Sequence, residues 1–355
     1  MQYCLLEMKK LLEEKHFIIF LIFCLCLNIG ICFSTPKVRE AVNQESKEET
    51  LLQGKKIYDT LNTNVIGSYY YNERYINSSI LNRLIKSKYE KLQESVNQLD
   101  RQAADLSYFA GEITPLVHQA LFTYQIKIIL LECIIMISLL GLRSFSMEQQ
   151  AQTASFIFCS RRGRKIARDK IIANGIVSAL YCLFLIVISL TVFFAAWNFK
   201  RLWHENVSSS FNYVIDSAEP ILAKPFITWT SFTLKRYFLC EILLLMGVLI
   251  AWWLLTNIEA VLISNNLYGG ITLALALCLP VFALILFPKF KLSVLYYLDT
   301  LTLSAVIYCN QWWFTDLGNY SLFAYQEVWT VVIHIVVMAF GLRTGLRYFR
   351  RKELM

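Results

Sequence analysis

Six apolar stretches leave this chain few ways to fold. Residues 17–34, 121–142, 171–197, 237–263 and 267–287 each approach or exceed the roughly 20 residues a helix needs to cross a hydrocarbon core of about 30 Å. Residues 328–342 form a shorter sixth stretch. Inside a bilayer every backbone N–H and C=O has to be bonded internally, so such stretches become helices. With 56% hydrophobic residues and a mean hydropathy of +0.47, the expectation is an all-α integral membrane protein with one extramembrane insertion.

Charge orients the spans. Seven Lys and Arg lie between Arg143 and Lys170, and a short loop of that density stays on the cytoplasmic side. A seventh candidate span, 292–309, contains Asp299 and follows Lys289 and Lys291. Counting it as a span would carry Arg343, Arg347, Arg350, Arg351 and Lys352 outside. Residues 289–325 therefore read as an outer segment that dips partly into the membrane. Short inner segments then hold fifteen bases against seven in short outer loops, which decides for six spans with both termini in the cytoplasm. The net charge of +8 is this bias; it is not a nucleic-acid footprint, since the bases are not interleaved with aromatics along a groove.

Four parts follow. Residues 1–16 carry Cys4, Leu5, Met8, Leu11 and Leu12 on one stripe and read as a helix lying in the cytoplasmic interface. Residues 17–35 are a retained first span, since a long polar leader and a weak cleavage context argue against a signal peptide. Residues 36–120 are an extracytoplasmic helical insertion with eleven bases, eleven acids and no cysteine. In it Ile85, Tyr89, Leu92, Val96, Leu99, Ala103 and Leu106 form a heptad-like seam for a partner helix or for the same domain of a second copy. Tyr69, Tyr70 and Tyr71 read as a loop packed on these helices. Residues 121–355 hold five further spans, the loop 143–170, the outer segment 289–325 and a basic cytoplasmic tail, 343–355. Ser146 and Gln149 match a capping box, so a loop helix is expected to start near Met147 and run to Cys159, with Gly163 as a break. The short link Ser264-Asn265-Asn266 makes the fourth and fifth spans a hairpin.

The chemistry of catalysis is missing. No GxxxxGK loop is present to cradle phosphates, no HExxH occurs, and the four histidines are scattered. Most cysteines sit within apolar stretches as small hydrophobes. Charged residues inside spans are the ones to examine. Lys127 and Glu241 lie near outer ends and are expected to snorkel to the interface. Glu259 is expected to reach water at the inner end. Glu132 is deeper and either lines a translocation path or pairs with another helix; His334 is either a helix–helix contact or a proton relay.

Glu148, followed by Gln152-Thr153 and then Cys159-Ser160-Arg161-Arg162-Gly163-Arg164-Lys165-Ile166-Ala167-Arg168-Asp169-Lys170, resembles the loop after the second span in type-2 ATP-binding-cassette exporter permeases. That family shows a Gly-Thr pair where this chain has Gln152-Thr153, and threonine where it has Arg161. The likeness extends to the order of spans and outer domain over nearly the whole length. It implies a transport subunit without ATPase activity of its own. A separate cytoplasmic ATPase would bind ATP and magnesium and dock on a coupling helix carrying Glu148, Gln152, Thr153, Arg161, Arg162, Gly163, Arg164, Lys165 and Lys170. It also implies a second permease half, a bacterial cell membrane, and an amphipathic or lipophilic cargo: peptide, drug or lipid. A membrane-anchored outer sensor without transport is the other class that the sequence allows.

Overall fold

The computed structural model of the chain describes residues 2–34, 58, 62–63, 79–102, 118, 120–153, 165–197, 199, 202–212, 226–263, 265–317 and 320–351. In chain order its helices are α1 (Gln2–Leu12), α2 (Lys15–Ser34), α3 (Ser79–Arg101), α4 (Ile126–Gln150), α5 (Ile166–Ala196), α6 (Val207–Asn212), α7 (Leu234–Leu262), α8 (Asn266–Leu286), α9 (Ser293–Asp299), α10 (Leu303–Tyr308) and α11 (Gln326–Arg351). A π-helical turn, Ala120–Gln125, leads directly into α4. No strand forms among the described residues; Asn206 and Thr233 make one isolated bridge.

Among the described residues, six helices are long and apolar enough to cross a membrane: α2, α4 with its π turn, α5, α7, α8 and α11. This is the composition of a multi-pass membrane protein, and it matches the six stretches read from the sequence. The second span is the central one. In its most apolar window 61% of residues are buried, against 17% in α8, so α8 lies at the periphery. The 292–309 stretch is not one long helix. Thr302 caps α10 by accepting from Ala305 N, and the short α9 and α10 are separated by a turn at 300–302. Burial lifts the Asp299 carboxyl to about 6, which fits a carboxylate drawn partway out of water.

The segments gather at two ends of the bundle. At one end, Leu11 of α1 packs with Phe17, Leu140 and Tyr181, and Leu342 of α11 packs with Ile171, Leu254 and Val261. At the other, Ile85, Tyr89, Leu92, Val96 and Leu99 of α3 pack on Ile227, Trp229, Tyr297 and Leu322. The seam is thus helical as expected. Within the chain it meets Tyr58 of the insertion, the loop ahead of α7 and the segment between α8 and α11, and Thr63 Oγ1 donates to Tyr89 O at 2.9 Å. Two buried polar contacts fix the register: Lys88 Nζ donates to Ser321 O at 2.9 Å, and Ser95 Oγ donates to Thr228 O at 2.7 Å. Ala103, Leu106 and Tyr69–Tyr71 lie outside the described residues.

Candidate functional site

The end that holds α1 is built on charge. Glu148 stands in the last turn of α4, where the helix dipole disfavours an acid. Its carboxylate is nonetheless 6% exposed, because Lys170, from the second turn of α5, donates to Glu148 Oε2 and, at 2.7 Å, to Ser144 O. Lys170 itself is 4% exposed. From α1, Lys10 Nζ lies 3.6 Å from Glu148 Oε1 and donates to Glu7 Oε1 at 2.6 Å. Burial works against the Lys10 ammonium, but the hydrogen bond and charge of Glu7, with Glu148 behind them, outweigh it and hold its pKa above the ordinary lysine value. Beside this cluster, Arg143 donates to Glu14 Oε1 at 2.7 Å, and that hydrogen bond keeps the Glu14 carboxyl below the usual carboxylate range. The N-terminal helix, the end of the second span and the start of the third are therefore tied together where the 151–165 loop leaves and returns.

This corrects two expectations. Ser146 does not start a helix: α4 runs unbroken to Gln150, and Ser146 Oγ donates back to Arg143 O within it. What the residues form is a helix C-terminus. Thr153 N bonds Glu148 O at 2.9 Å, and Gln152 adopts φ 56°. A left-handed residue one place beyond the cap, with the next N–H bonded back five residues, is the pattern that glycine favours. Gln152 occupies the position where the resembling family has glycine. We expect Gln152→Gly to raise stability in detergent by about 1 kcal/mol, since the left-handed cost of a side chain is removed; a thermal-shift loss would contradict the assignment. Second, Glu148 does not open a loop helix; its side chain is buried near the end of α4. It is a buried brace, and its influence on the loop is positional.

The remaining site residues separate. Lys165 is exposed immediately before α5, and Thr153 is exposed beyond α4. Arg161, Arg162, Gly163 and Arg164 lie outside the described residues. Glu132 pairs with another helix: Asn28 Nδ2 of α2 donates to Glu132 Oε2 at 2.5 Å, and Gln125 Nε2 donates to Asn28 Oδ1 at 2.8 Å. His334 bonds Thr330 O of its own helix at 2.7 Å. Among the described residues, no hydrogen bond or ion pair joins Glu132 and His334. Glu241 does not snorkel; it is fully buried one turn from Tyr237 in an aromatic cluster. Lys127 is held inward, over the Tyr308 ring, donating to Tyr308 O at 3.3 Å. Glu259 accepts from Thr272 Oγ1 at 3.3 Å.

Sequence reasoning passed over the amides. Asn174 Nδ2 donates to Asn257 Oδ1 at 3.1 Å, linking α5 to α7, and Ser178 Oγ donates to Asn174 Oδ1 at 2.9 Å. The usable signal was an uncharged amide inside an apolar stretch, where another helix is its natural partner.

Compared with protein-family models, curated proteins and solved structures, the chain matches none.

Proposed function

We propose that the chain is the membrane subunit of an ATP-binding-cassette exporter, moving an amphipathic or lipophilic cargo with energy from a separate cytoplasmic ATPase. One observation carries the reading. The sequence's basic segments (the N-terminal helix, the loop between the second and third spans, and the last helix) belong to parts of the fold that gather at one end, and the loop is rooted there in a buried ion network. Positive-inside bias makes that end cytoplasmic, with both termini there. A partner pushing on the loop would move α1, α4 and α5 together, because a network that buries Glu148 and Lys170 does not flex without exposing or separating charge. Lys165 is exposed, the sequence places Arg161, Arg162 and Arg164 just before it, and Glu148 and Lys170 hold the base of the loop.

Mild detergent extraction from native membranes, followed by mass spectrometry of what co-purifies, tests the proposal. An ATPase with a complete GxxxxGK[ST] loop is the expected companion. Repeated isolation with no such chain, under conditions that preserve other membrane complexes, would overturn it.

A further inference from the structure

The helices α5 and α7 each pack along α4 but touch one another little. Between them runs a furrow with α4 as its floor. Midway, a hollow of about 260 Å³ has Ile137 beneath it. Its α5 wall is made of small residues, Gly175, Ser178, Ala179 and Cys182. Its α7 wall is bulky, and at its far end Trp253 closes on Gly175 so tightly that a Cβ there would lie 2.9 Å from the indole. A second hollow of about 380 Å³ opens at the N-terminal end of α7, lined by Trp203, His204, Lys235, Phe238 and Leu239.

The two hollows share one stripe of α7. Leu239, Leu243, Met246 and Ile250 recur at spacings of four, three and four, so they lie on one face, and all four are exposed. From Lys235 to Met246 the helix rises about 16 Å, close to half of a 30 Å hydrocarbon core. A chain whose headgroup sat at Lys235 would end in the small-walled hollow.

We propose that this furrow is a binding site for a phospholipid with an anionic headgroup, in the leaflet that meets the N-terminal end of α7. The charge is complementary: Lys235 lines the upper hollow, Arg236 is exposed beside it, and no acid lines the hollow among the described residues. The N-terminus of a 29-residue helix adds its own positive end. Trp203, 5.6 Å from Phe238 between ring centres, places an amphipathic ring at headgroup depth. The small wall below accepts an acyl chain, and its lining is mostly apolar, with the Ser178 hydroxyl already donating to Asn174 Oδ1. The site stands apart from the transport reading and survives if that reading fails.

The test uses the full chain in nanodiscs with photoactivatable phosphatidylglycerol or phosphatidylcholine of identical acyl chains. Phosphatidylglycerol is expected to label peptides containing 175–182 and 246–253 at least fivefold more strongly. Lys235→Gln should bring that ratio below twofold. Ala179→Phe, or Leu243→Trp should the first misfold, should remove labelling in the furrow while labelling of peripheral α8 continues. Equal labelling by the two lipids, or a preference that survives Lys235→Gln, overturns the proposal.

Discussion

Lys170→Met is expected to destabilise the detergent-solubilised protein by about 3–5 kcal/mol, the cost of leaving a buried carboxylate without its partner. Among the described residues Glu148 would keep only Lys10, at 3.6 Å and partly exposed, and Ser144 O would lose a donor. The double variant Glu148→Met, Lys170→Met should recover most of the loss, since a buried pair replaced by apolar side chains of similar volume is often neutral or stabilising. Denaturation by SDS titration reads both. If Lys170→Met were within about 0.5 kcal/mol of the parent, as surface substitutions are, the pair would not be buried as described. If the double variant were as weak as the single one, packing rather than charge would be the cause.

Gly141→Ala should cost about 1–3 kcal/mol through overpacking. The new Cβ would meet Thr256 Cγ2 at 2.4 Å, and a β-branched side chain on α7 has little freedom to turn away. Asn174 Nδ2 lies 3.4 Å from the same point, so the clash falls where α4, α5 and α7 converge. Thr256→Ser removes the offending methyl and keeps the hydroxyl; combined with Gly141→Ala it should restore near-parent stability. Gly30 is the control, because nothing lies within 4 Å of its would-be Cβ. Gly30→Ala should be neutral or stabilising, as alanine loses less backbone entropy within a helix. Thermal unfolding of the three variants checks the set. A Gly141→Ala protein as stable as Gly30→Ala would contradict the close approach of α4 and α7.

The spans were legible because a bilayer imposes one length and one composition on a crossing helix. Residues 292–309 were read as a non-span because Asp299 and the basic tail opposed the apolar run together. The seam on α3 was legible as a helix face, since its spacing alone fixes which residues share a side. Most of what it packs against was not, because Ile227, Trp229, Tyr297 and Leu322 come from loops and one short helix over 120 residues further along. Ser146 misled for a physical reason: a Ser with Gln three residues later also occurs within a helix, where the hydroxyl bonds back to the preceding turn. The true signal at that point was a helix end, hidden because Gln152 fills a position where glycine would have announced it. Glu148 was read as part of a docking helix, and its burial was not legible. Its partner stands 22 residues on, beyond the reach of any local pattern.

The central claim is that an ATPase works this protein from the end that holds Lys165. A photo-crosslinking residue placed at Lys165, and in a separate variant at exposed Glu94 on α3, tests it in native membranes. The account predicts an adduct with a nucleotide-binding ATPase from position 165, and none from position 94. An ATPase adduct from position 94, or none from position 165 while the protein is present and folded, would contradict it.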